Sequence, residues 1–192
     1  MKFFVDSADP SEIRACAERG SIHGVSIGAW PAVADRVGLI QEICEIFKGP
    51  VSVGVSGGDG DQMLREARGL ARIAPQVVVR LSLRDDGLKV IRACAAEGIK
   101  IHGTGCLSPA QGLQAAQAGM AYVSPFGDRP DDPAGLDLVR KIVALYKTYG
   151  IGTQVLMSSL RSAGDVVEAA LAGAQIGTAP FPLLRQLIEQ LR

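Results

Sequence analysis

The sequence predicts an α/β protein folded as a single (β/α)8 TIM barrel over residues 1–192, and three observations predict it. Eight short β-rich runs alternate with eight helix-length stretches. A helix–Gly–apolar strand junction recurs five times, in ERG, AEG, QAG, TYG and LAG, as short αβ turns feeding a parallel strand would require. No GxGxxG follows the first strand, so the dinucleotide crevice of an open doubly wound sheet is unmarked. Eight units in 192 residues leave about 24 residues each, which favours a compact closed barrel below the usual size of ~250 residues.

The strands are expected at Lys2–Asp6, Ile22–Ile27, Val51–Val55, Gln76–Leu81, Ile99–Thr104, Ala121–Pro125, Thr153–Met157 and Gln175–Thr178. Runs such as VVV and VSV suit parallel strands covered on both faces. Amphipathic helices are expected at Ser11–Arg19, Asp61–Ala74, Asp85–Glu97, Pro109–Ala118, Pro133–Tyr149, Ala163–Ala172 and Leu183–Leu191. Asp9-Pro10-Ser11 and Ser108-Pro109 supply a cap and a first-turn proline. Gly20, Gly98, Gly119, Gly150 and Gly173 stand where helices end.

Twenty basic residues balance twenty acidic ones, so no bulk field draws nucleic acid or an anionic membrane. No stretch approaches the roughly 18 apolar residues of a membrane span, and the apolar start MKFFVDS is too short for a signal peptide. The cytoplasm is the expected location. Cys16, Cys44, Cys94 and Cys106 form no CxxC pair, which argues against a disulfide framework or a zinc site. No metal or other cofactor is expected.

In such a barrel the site lies at the C-terminal ends of the strands. The polar residues there are Asp6, Ser7, Ser26, Ser56, Asp59, Arg80, Ser82, His102, Thr104, Ser124, Arg129, Ser158, Ser159, Arg161 and Thr178.

The opening KFFVDSADPSEIR, followed in order by ICEIFKGPVSV, ARIAPQVVVRLS, GLKVIRACAAEGIK, AGMAYVSPFGDRPDD and VVEAALAGAQIGTAPF, resembles the small-transaldolase pattern over essentially the whole chain. The resemblance is to the transaldolase and fructose-6-phosphate aldolase family. It implies a sugar-phosphate ketone attacked by a lysine at the end of the fourth strand, with an aspartate on the first strand moving protons. It makes Asp6 the proton-handling aspartate, Thr104 the holder of a catalytic water, Phe126 the sixth-strand aromatic, and Arg129 with Ser159 and Arg161 the phosphate site. It also implies a homo-oligomer, with the expectation that the helix-swapped assembly built on the family's C-terminal extension after Leu183–Leu191 is not used.

The departures fall at the reaction centre. Arg80 stands at the lysine position, Gly28 at the asparagine of the second strand, Gly54 at the third-strand Glu or Gln, and His102 at the fifth-strand asparagine. A guanidinium keeps its proton and is a very poor nucleophile, so an imine on Arg80 is excluded chemically. Lys2 and Lys100 begin strands, while Lys48, Lys89, Lys141 and Lys147 belong to helices or their ends, so none replaces it.

Arg80 then either binds an anion or polarises a carbonyl, or forms a structural ion pair with Asp6. His102 is either a general acid or base, or an interior hydrogen-bonded histidine. Glycines 28 and 54 either enlarge the pocket or are refilled by Trp30 and His102. His23 is expected to face away from the site, and Cys106 to be a semi-buried thiol rather than a nucleophile. Arg129 and Ser159 suit an anion clamp near a helix N-terminus. Two functions follow: an enzyme acting on a phosphorylated sugar or similar carbonyl compound by acid/base chemistry, or a catalytically silent relative that binds a sugar phosphate or serves a structural role.

Overall fold

The computed structural model describes residues 1–27, 35–83, 87–125 and 133–189. Strands and helices alternate strictly: β1 (Lys2–Asp6), α1 (Pro10–Glu18), β2 (Gly24–Ile27), α2 (Arg36–Ile46), β3 (Val51–Gly54), α3 (Gly60–Ala71), β4 (Val77–Ser82) and α4 (Gly87–Ala96). The second half continues as β5 (Ile101–Cys106), α5 (Pro109–Gln117), β6 (Tyr122–Pro125), α6 (Pro133–Thr148), β7 (Gln154–Met157), α7 (Ala163–Leu171), β8 (Ile176–Ala179) and α8 (Phe181–Glu189). All pairings are parallel and in chain order, and β8 closes on β1. This is the predicted (β/α)8 TIM barrel.

Helix ends follow local chemistry. Asp9 caps α1 with its side chain accepting from Ser11 N, and Ser108 caps α5 by accepting from Gln111 N, each with proline next. Asp59 and Gln62 form a reciprocal capping box on α3. The five glycines expected at helix ends all take positive φ, between 62° at Gly20 and 100° at Gly119, where a side chain would be strained.

Two strands begin two residues later than expected, β2 at Gly24 and β5 at Ile101. Ile99 N–H bonds to the Cys94 carbonyl, so Ile99 closes α4 instead of opening β5. β5 then runs on past Thr104 through a register shift at Gly105, whose φ is 74°. In β2, His23 precedes the strand, is exposed, and lies at the mouth opposite the site, as expected.

Strand parity divides the molecule chemically. One set, including Val25, Ile27, Val51, Val53, Val79, Leu81, Val123 and Val155, is wholly buried in the main core with helix residues such as Ile13, Ile43, Ile91 and Ile142. The other set lines the barrel. At its lower level Phe4, Leu156 and Ile176 cluster with Tyr122, and the Phe4 and Tyr122 rings meet edge to face at 5.7 Å. Above them the lining turns polar, with Ser26, Ser52, His102, Ser124 and Thr178 all buried.

Gly24 makes room for the Phe4 ring, since a Cβ there would lie 2.4 Å from it. Gly24→Ala is expected to cost about 2 kcal/mol by overpacking. Urea unfolding checks this, and Phe4→Leu in the same chain should recover much of the loss.

Candidate functional site

The C-terminal strand ends bring Asp6, Ser26, Gly54, Arg80, His102 and Thr104 to one mouth. Asp6 pairs in register with Ser26, Gly54 with Arg80, Arg80 with His102, and Thr104 with Ser124. The half-buried Arg80 donates from Nη2 to the Ile27 carbonyl at 2.7 Å and from Nη1 to Ser26 Oγ at 3.4 Å. Burial lowers its pKa and the Asp6 carboxylate opposes that shift, so the two residues are electrostatically coupled. Gly54 provides the space. A Cβ at that position would stand 3.1 Å from Arg80 Nη2.

His102 lies one step deeper, 1% exposed. Its Nδ1 is 2.9 Å from Ser52 Oγ and its Nε2 is 2.8 Å from Ser124 Oγ. Ser124 spends its single proton on the Leu156 carbonyl at 3.0 Å, so toward His102 it accepts. Nε2 therefore carries the ring hydrogen, and Nδ1 accepts from Ser52. Burial first, and the Arg80 charge second, pull the imidazole pKa down to about 3. Through Ser52 and Ser124 the enclosed ring ties β3, β5, β6 and β7 together.

Thr104 is half-buried and donates from Oγ1 to the Leu81 carbonyl at 3.3 Å. At the opposite rim Ser158 Oγ lies 3.3 Å from Ser124 Oγ. Ser159, exposed, is the single described non-glycine residue with positive φ, at 60°. Arg161 is exposed and turned onto α7, its Nε 3.6 Å from Asp165 Oδ2. Burial pushes the Asp165 carboxyl up, but hydrogen bonds from Arg161 N–H and the Ser162 hydroxyl outweigh it and hold it low. Trp30, Phe126, Arg129 and Gly28 lie outside the described residues.

Further residues shape the mouth from behind. Arg36 donates to the Gly54 carbonyl at 3.1 Å and to Ser56 Oγ at 2.8 Å, and Glu66 accepts the Ser56 N–H at 2.8 Å. This network fixes the end of β3 just where Gly54 meets Arg80. Cys106 is fully buried and donates to the Ser108 carbonyl at 3.3 Å, and burial pushes its thiol up, as an unreactive thiol requires. The six lysines stay away from the strand C-termini: Lys2 opens β1, Lys48 follows α2, Lys100 precedes β5, and Lys89, Lys141 and Lys147 lie on α4 and α6. Among the described residues no group of three or more His, Cys, Asp or Glu could hold a metal ion, and no helix is long and apolar enough to cross a membrane.

The profile of the Transaldolase/Fructose-6-phosphate aldolase family matches residues 33–191. The chain belongs to that family. A "Probable transaldolase" of Rhodospirillum centenum is 45% identical over 195 residues, covering 97% of this chain and 84% of its own. One from Sorangium cellulosum is 44% identical over 194 residues, covering 97% and 89%. The crystal structure of a 3-hexulose-6-phosphate synthase superposes with a TM-score of 0.72 at 13% identity, covering 97% of this chain and 98% of that one, a likeness of fold alone.

Within this transaldolase-family barrel, Ser52, Arg36 and Glu66 escaped the sequence reading. Ser52 was legible in principle, since it shares strand parity with Gly54. Arg36 and Glu66 sit on helices, and only closure of the barrel brings them to Ser56.

Two measurements test the site. His102 is neutral in the fold, whereas an unfolded-chain histidine takes a proton below about 6.5. Stability held by this group is therefore full above that value and is lost as pH falls toward about 3. Between pH 7 and 5 it should drop by roughly 2 kcal/mol from His102 alone. Imidazole nitrogen shifts in the native protein at pH 5 should still show the neutral Nε2–H form. Separately, Gly54→Ala should cost about 1–2 kcal/mol by crowding Arg80, shrinking to within about 0.5 kcal/mol in an Arg80→Met background. A four-protein thermal unfolding cycle reads that coupling.

Proposed function

We propose that this transaldolase-family protein acts on a phosphorylated sugar or related small carbonyl compound by proton transfer, without a lysine imine. One observation carries the reading: the fourth-strand position at the mouth holds the Arg80 guanidinium, beside Asp6, while all six lysines lie elsewhere. A guanidinium neither sheds its proton near neutral pH nor attacks a ketone. It does stabilise negative charge developing on a carbonyl oxygen in a water-poor mouth.

In this reading Asp6 removes a proton from the carbon next to the substrate carbonyl. The electron pair moves onto the carbonyl oxygen as an enolate, and Arg80 holds that charge. Return of that proton by Asp6 to the former carbonyl carbon, with the neighbouring hydroxyl's proton passing to the former carbonyl oxygen, completes an isomerisation. Loss of a β-hydroxyl as water is the other route from the enolate. In an aldol cleavage Asp6 instead takes the proton of a β-hydroxyl, and the breaking carbon–carbon bond delivers the enolate that Arg80 holds. Thr104, near the end of β5, holds the water that exchanges protons with Asp6. Arg129 and Ser159 bind the phosphate. Arg161, drawn onto Asp165, acts as a secondary positive charge, and Phe126 and Trp30 complete the pocket wall. His102, enclosed and neutral, positions the serines and Arg80 rather than carrying the proton.

A binding-only protein is the second reading, and the commitment of Arg80 Nη2 to the Ile27 carbonyl favours it. Borohydride treatment with dihydroxyacetone or fructose 6-phosphate, followed by intact mass, should give no adduct. Asp6→Asn should lower turnover of a phosphosugar found by thermal-shift screening by about 100-fold or more, at unchanged ligand shift. A trapped imine on any side chain overturns the mechanism. A retained ligand shift with no substrate consumption in the unmutated protein selects the binding-only reading.

A further inference from the structure

The segment after β7 is held in an unusual way. Ser159 has φ 60°, a left-handed conformation that costs a serine free energy and persists only where its surroundings impose it. The constraint comes from β8. Thr178, 3% exposed, accepts the Ser159 N–H on its Oγ1 at 3.0 Å and the Leu160 N–H on its carbonyl at 2.9 Å. Leu160 is fully buried, and a Cβ on the neighbouring Gly177 would stand 2.5 Å from Leu160 Cδ1. Two successive amides are thus fastened to one residue, with a leucine plug beneath and an exposed serine above.

We propose that Thr178 is a positioning residue for the anion site: its hydroxyl fixes Ser159 in the left-handed turn that presents this residue to the substrate phosphate. The proposal rests on the reading of Ser159 as a phosphate ligand. The leucine plug and the Thr178 carbonyl fasten residue 160, while among the described residues the Thr178 hydroxyl is what accepts the Ser159 amide. Threonine here supplies an acceptor that valine, of the same shape, does not.

The experiment measures binding of inorganic phosphate by calorimetry, well below the unfolding temperature, with amide hydrogen exchange at Ser159 as a second readout. Thr178→Val should weaken phosphate about tenfold, the loss of one hydrogen bond that opposes backbone strain. It should also expose the Ser159 amide to exchange. Thr178→Ser, which keeps the acceptor, should stay within about twofold of the unmutated protein. In a Ser159→Gly background, where positive φ is unstrained, adding Thr178→Val should cost less than about twofold more. Undiminished phosphate binding in Thr178→Val, or full additivity with Ser159→Gly, overturns the positioning role. If the unmutated protein and Ser159→Ala bind phosphate alike, or neither binds it, the phosphate-ligand reading itself fails and the positioning role falls with it. Exchange at residue 159 then still records whether Thr178 holds the turn.

Discussion

A permanent cation placed inside a barrel mouth must be surrounded by acceptors, and the layer around Arg80 meets that demand. The Ile27 carbonyl and the Ser26 hydroxyl take its hydrogens, Asp6 supplies the opposing charge, and Gly54 gives up its side chain to let the guanidinium lie down. The same charge reaches His102 and helps keep that ring neutral. Replacing Ser26 or Asp6 alone removes a partner of the guanidinium, and a side chain at residue 54 meets it sterically. Arg80 and Gly54 therefore make sense as a pair.

Much of the fold was legible because parallel barrels punctuate themselves locally. Proline and Asp or Ser start helices, glycine at positive φ ends them, and short aliphatic runs follow. The misplacements share a physical cause. Ile99 looks like strand by composition, but its amide completes the α4 cap; Gly105 looks like a strand end, but the chain absorbs it as a bulge and continues to Cys106. Both are decided by hydrogen bonds, which side-chain type does not report.

The site was legible residue by residue and not as a network. Asp6, Arg80, His102 and Thr104 share the mouth because strand-end position and parity are sequence properties. The partners that define what each can do come from 22 to 54 residues away: Ser52 and Ser124 for His102, Ser26 and Ile27 for Arg80. Those pairings exist only once eight strands close, so the choice between proton carrier and interior ligand for His102 was out of reach before closure.

The division between the two faces of each strand separates what keeps the barrel closed from what lines its mouth. Stability resides outside the barrel wall, where Val25, Ile27, Val51, Val53, Val79, Leu81 and Val155 are wholly buried against the helices. The inward positions carry hydroxyls, a glycine, a guanidinium and an imidazole, and their requirement is mutual hydrogen-bond satisfaction rather than volume. Every buried side-chain nitrogen and oxygen among the described residues has a partner. A polar interior satisfied from within can change its chemistry as a set without drawing on the aliphatic shell that keeps the barrel closed. The 3-hexulose-6-phosphate synthase likeness, close in fold and only 13% identical, illustrates how little of the sequence that closure prescribes.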